Sequence, residues 1–155
     1  MFLSNFLSNL TLSKANAFIW DSKIKNLKII SHFRCLDLDL LIGIERQKKT
    51  IYNNTKNFAE GNFTNNALLW GSRGNGKSSL IKSVFYEVNR KNKNLKLIQL
   101  NKNNIFDIEI IYEKYANLNN YNFIIFIDDL SFEKIDSDYK IIKSTLDGSI
   151  QNQPK

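Results

Sequence analysis

Eight consecutive residues, Gly71, Ser72, Arg73, Gly74, Asn75, Gly76, Lys77 and Ser78, carry the clearest chemistry in this chain. They fit the pattern G-x-x-x-x-G-K-[ST] at every fixed position, and the residue types explain what such a stretch can do. Glycine lets the backbone take positive φ and approach a ligand closely, so successive amide N–H groups can converge on one anion. A helix that begins inside the pattern adds its unpaired N–H groups and the positive end of its dipole. Lys77 brings a full positive charge to the β- and γ-phosphates of a nucleotide, and the Ser78 hydroxyl suits a Mg²⁺ ligand. A glycine-rich turn with no ligand is the competing reading; a strand before the pattern and a helix after it disfavour that reading.

The second chemical feature is Asp128-Asp129, which follows five apolar residues at 123–127. At the carboxyl end of a buried strand, Asp128 stands where parallel α/β folds bind their ligands, and it is the natural second partner of the metal held by Ser78. An apolar run ending in Asp is a weak signal alone and a strong one after a phosphate loop. Asp129 is placed to orient or deprotonate an attacking water. Glu133 is a substitute for that role, with a solvated surface carboxylate as its plainer reading.

The pattern around these residues predicts the elements that hold them. The apolar run at 67–70, bounded by Asn65-Asn66 and Gly71, reads as a strand buried on both faces. Leu80, Ile81, Val84, Phe85 and Val88 then recur at helical spacing. Upstream, 43–60 reads as a polar helix with Ile44, Ile51 and Phe58 on one stripe and Gly61 to end it. Downstream, 96–100 is a strand, 104–118 a helix with Asn104 as its cap, 123–127 the strongest strand, and 136–146 a last helix. Alternating strands and helices of these lengths predict a parallel α/β sheet with helices on both faces. Residues 1–20 read as a short helix and then a strand or arm, and Leu27, Ile29 and Ile30 suggest another strand. We therefore expect an N-terminal extension over residues 1–40 and a nucleotide-binding core over 41–155.

Composition bounds the setting. With 155 residues, 43% of them hydrophobic, the chain can bury a core. The 22 Lys+Arg against 15 Asp+Glu give +7, which attracts polyanions, although scattered lysines also fit a general compositional bias. Cys35 and His32 are the only residues of their types, so one chain can build neither a disulfide framework nor a Cys/His zinc cluster, and a reducing cytoplasm fits. Phe2, Leu3, Phe6, Leu7 and Leu10 are interrupted by Ser4, Asn5, Ser8 and Asn9 with no preceding cation, which argues against a signal peptide. No stretch approaches the length that spans a bilayer, so no membrane association is expected.

The residues from Asn65 through the loop to Ser79, with Phe126-Ile127-Asp128-Asp129-Leu130-Ser131-Phe132-Glu133, resemble an AAA+ P-loop ATPase. More narrowly, from about Phe18 onward, the chain is similar to the bacterial ATP-binding family catalogued as domain of unknown function 815. The resemblance implies ATP and Mg²⁺ as cofactors, contacts from residues 71–79 including Ser79, and a homo-oligomer in the full-length protein. Leu41-Ile42-Gly43-Ile44-Glu45-Arg46-Gln47 resembles the segment that precedes the AAA+ core, which implies that Leu41, Ile42 and Gly43 lie beside the base. Two departures stand out. Most AAA+ proteins have Glu where this chain has the shorter Asp129. The sequence also stops at Gln153-Pro154-Lys155, before a sensor strand, an arginine finger and a helical lid, which implies an incomplete sheet in a truncated member. An arginine finger supplies ~10³ to 10⁵ in rate, about 4 to 7 kcal/mol of barrier. Arg34, Arg46, Arg73 and Arg90 all precede the Asp128 strand, so ATP binding without efficient turnover is expected of these residues alone. The competing functions are a basic nucleic-acid-binding module with ATP as regulatory ligand, and a P-loop kinase; the remodelled partner of an ATPase could be nucleic acid or protein.

Overall fold

The computed structural model describes residues 10–115 and 117–130. Their contacts separate into two units. One joins the chain up to Ser31 with the chain from Lys96 onward, and the other runs from His32 to Leu95.

The first unit is built on a four-stranded sheet in the order β2-β1-β3-β4. Its strands are β1 (Ala17–Asp21), β2 (Asn26–Ile29), β3 (Leu95–Leu100) and β4 (Asn122–Ile127). A helical turn at 10–14 precedes β1, as the apolar spacing predicts. β1 and β2 form an antiparallel hairpin. Its turn is closed by the Asp21 carboxylate, which accepts from the Lys23 and Ile24 amides, and Lys25 takes the left-handed φ of 49° that a tight turn needs. β1 then runs parallel to β3, with Phe18 opposite Ile98. The sheet is therefore mixed and mostly parallel rather than wholly parallel, because β2 returns through a hairpin instead of a helical crossover.

Alternation along the strands sends Phe18, Trp20, Leu27, Ile98 and Leu100 into one cluster, with Leu12 from the first helical turn. Ile105, Ile108, Ile111, Tyr115 and Leu118 close it from the segment between β3 and β4. That segment differs from the single helix expected over 104–118. Asn101 caps it, its side chain accepting from the Asn103 amide. A 3-10 stretch follows at Lys102–Asp107, in which Asn104 leaves helical geometry at φ −114°. The α-helix, α3, runs only over Ile108–Tyr115. Asn side chains compete with the backbone for hydrogen bonds and favour caps over helix interiors. Asp107 is also held in place: its carboxylate accepts from Trp20 Nε1 at 2.9 Å and from Lys25 Nζ at 2.6 Å.

The second unit holds helices α1 (Glu45–Ala59) and α2 (Lys77–Lys91), which pack on each other. α1 lies within the predicted 43–60 and ends at Gly61, whose φ of 84° and bond to the Phe58 carbonyl terminate it as expected. The strand predicted at 67–70 does not form. These residues belong to no strand, and Leu68 and Trp70 are exposed. Among the described residues of this unit no strand accompanies the segment apart from Leu95 at the start of β3, and an isolated strand has no ladder to satisfy its backbone. The helix expected at 136–146 and Glu133 lie outside the described residues.

Candidate functional site

The loop at 71–78 leads into α2, whose first residue is Lys77. Three glycines take left-handed φ: Gly71 at 136°, Gly74 at 83° and Gly76 at 75°. L-residues with side chains avoid this region, so the glycine spacing in the sequence is what permits the turn. Gly76 is the N-cap and has no side chain with which to close the helix. The first turn also carries no acid. It carries Lys77 instead, a cation at the positive end of the helix dipole, where like charge costs ~0.3 to 1 kcal/mol. A glycine N-cap, no carboxylate in the first turn and a lysine together leave this end of α2 short of negative charge, which is what an anion site requires.

Lys77 folds back over the loop. Its ammonium donates to the carbonyl oxygens of Gly71 at 2.8 Å and Ser72 at 2.6 Å. The charge is thus held at the mouth of the loop rather than dispersed into solvent. Residues 71–75 are exposed, and Gly76, Lys77, Ser78 and Ser79 are partly so, which leaves the loop accessible. Behind it α2 is firmly seated: Leu80, Val84, Phe85 and Val88 are buried, Phe33 meets Phe85 edge-on, and the Ser83 hydroxyl donates to the Leu36 carbonyl at 2.6 Å. Rigid backing of this kind keeps a ligand loop in place. Beside it, burial and then the Asp37 carboxylate push the Cys35 thiol above its ordinary value, which leaves it a poor nucleophile.

The same unit contains Leu41, Ile42 and Gly43. Leu41 is buried and its carbonyl accepts from Lys48 Nζ at 3.0 Å. Ile42 is 86% exposed, and Gly43 has φ of 83°. The segment therefore offers one anchored and one free apolar side chain just before α1.

Asp128 and Asp129 follow directly on β4, in the other unit. An Asp128 carboxylate oxygen accepts from the Asp129 amide at 3.0 Å, and Asp129 adopts a left-handed φ of 55°, which Asp tolerates better than most residues. Asp129 faces Lys102 at 3.7 Å. Sequence reasoning passed over Lys102, although a signal was available: it stands just past the carboxyl end of β3 as Asp129 stands just past that of β4. It also passed over Asp107, whose pairing with Trp20 and Lys25 spans more than 80 residues and has no local signature.

The family model described as protein of unknown function (DUF815) matches residues 13–155. The chain belongs to that family. No curated protein and no solved structure matches it. The family match spans both the 71–78 loop and the Asp128-Asp129 pair, so the two features fall in one family region. No helix among the described residues is long and apolar enough to cross a membrane.

Proposed function

We propose that this chain binds ATP with Mg²⁺ as an AAA+-type P-loop protein of the cytoplasm, through the loop at 71–78. The observation that carries the reading is the start of α2: three left-handed glycines, one of them the helix N-cap, no acid in the first turn, and Lys77 held over the loop mouth by two carbonyl oxygens. Such a site fits a polyphosphate, since the amides can each donate to an oxygen and Lys77 can exchange its carbonyl partners for phosphate oxygens at little reorganisation cost. Within the loop, Ser78 is the residue that would hold magnesium, which when bound neutralises charge on the transferred phosphoryl group. Leu41, Ile42 and Gly43 would line the base. Asp129 would orient or deprotonate water, and in this reading its pairing with Lys102 anchors the carboxylate just past the strand end. These residues are assigned nucleotide binding rather than efficient hydrolysis, because all four arginines precede β4, and a protein or nucleic acid is left as the partner such an ATPase would act on.

Isothermal calorimetry with Mg-ATP tests the reading directly. Binding by the chain and its loss in Lys77→Ala are expected. Equal binding by the two proteins overturns the assignment.

A further inference from the structure

The chain's positive charge is not spread evenly. Residues 32–95 hold 11 Lys+Arg against 5 Asp+Glu, whereas the rest of the chain holds 11 against 10. That one unit therefore carries +6 of the total +7. Within it the outer side of α1 is the most ordered basic surface. Arg46, Lys49, Asn53 and Lys56 follow one another at i, i+3, i+7 and i+10, and all four are exposed. This is the repeat of a single helical stripe, about 15 Å long at 1.5 Å per residue. The buried and half-buried residues of α1, Ile51, Thr55 and Phe58 among them, fall off that stripe.

Charge pairing answers only part of the stripe. Glu45 pairs with Lys48, and Glu60 lies 3.8 Å from Lys56. Arg46 and Lys49 stand three residues apart on one side, a spacing at which like charges repel. A row of cations that costs the isolated helix a little stability gains when anions lie along it. Chemistry narrows what those anions are. No apolar or aromatic residue interrupts the stripe, so it has neither a side chain to insert into a bilayer nor a platform for stacking unpaired bases. Asn53 supplies a hydrogen-bond donor of the kind that contacts phosphate oxygens.

We propose that the outer side of α1 binds the phosphate backbone of duplex nucleic acid, independently of sequence. Arg46, Lys49 and Lys56 each neutralise phosphate charge, and affinity comes largely from released counterions.

The test is fluorescence anisotropy of a labelled DNA duplex with the whole chain across a salt series. The triple variant Arg46→Gln, Lys49→Gln, Lys56→Gln keeps good helix formers at exposed positions, and circular dichroism checks its fold. Its log–log salt slope should be shallower than that of the unmodified chain by about 2.7, from ~0.9 for each lost phosphate contact. The control, Lys14→Gln, Lys23→Gln, Lys28→Gln, removes equal charge from the other unit and should leave the slope nearly unchanged. Equal losses in the two variants would make the binding a property of net charge and overturn the proposal. So would absence of duplex binding, tighter binding of a single strand, or stronger retention on phosphatidylserine vesicles than on duplex.

Discussion

The chain has two tryptophans in opposite circumstances. Trp20, in the sheet unit, is 3% exposed, and its indole N–H donates to Asp107 from a residue 87 positions away. Trp70, next to the loop glycine in the other unit, is 89% exposed. The same residue type serves as a keystone in one place and stands in water in the other. What differs is the company. Trp20 lies in β1, which has strand neighbours on both sides and the β3–β4 connection over it, so burying its ring also satisfies its polar atom. The apolar run that ends in Trp70 has hydrophobicity without a ladder, and apolar residues alone do not make a strand.

The contrast can be broken first at its buried end. Trp20→Ala should destabilise the sheet unit by about 3 to 5 kcal/mol, read from urea unfolding, because it empties a core position and strips Asp107 of a donor. A loss below ~1 kcal/mol would mean that the sheet core is not organised around this ring. At the ligand loop, Lys77→Ala should weaken Mg-ATP binding by roughly 2 to 3 kcal/mol, the scale of charge-assisted hydrogen bonds, while leaving the urea midpoint near its original value. Calorimetry together with unfolding separates these two effects.

Asp107 gives a pH-dependent test of the same core. Burial pushes its carboxyl up, but hydrogen bonds from Lys25 and Trp20 more than reverse this, so its value lies below the ordinary 3.8. A group depressed in the folded state contributes stability above its unfolded value and loses it as pH falls through the folded one. Unfolding midpoints should therefore decline below about pH 3.8, and less steeply in Asp107→Asn, with about 1 to 2 kcal/mol at stake. An unchanged acid profile in the variant would show that the Asp107 bonds add no net stability. The smallest effect belongs to Trp70. Trp70→Ala should change stability by no more than ~0.5 kcal/mol, as exposed substitutions usually do. In Trp20→Phe, Trp70 is the only remaining tryptophan; its emission should be solvent-like and quenched by acrylamide, and should respond to Mg-ATP.

Much of this organisation was legible locally. Both long helices announced themselves by periodicity and by Gly61 or the glycine loop at their ends, and the runs at 96–100 and 123–127 became β3 and β4. The 104–118 segment was misread because helical spacing of its apolar residues masked a stretch, Asn101 to Asn104, that prefers caps. The 67–70 run was misread for a deeper reason: four apolar residues satisfy a strand template, but strand formation depends on partners that a local window does not contain. In the candidate site, the loop residues were readable because each has a job set by backbone geometry or charge. Lys102 was not, because its relation to Asp129 exists only once β3 and β4 lie side by side.

By itself the sequence determined the 71–78 loop, since positive φ at glycine and a lysine at a helix start are properties of residue type and spacing. It also determined the family and the net positive charge. Only tertiary structure decided that β1 is an inner strand, that Asp107 is held by Trp20 and Lys25, and that one tryptophan is buried and the other is not. The physical reason is range. Dihedral preference and charge act within a turn or two of chain, whereas burial and strand pairing are decided by residues tens of positions apart that meet only when the chain has folded.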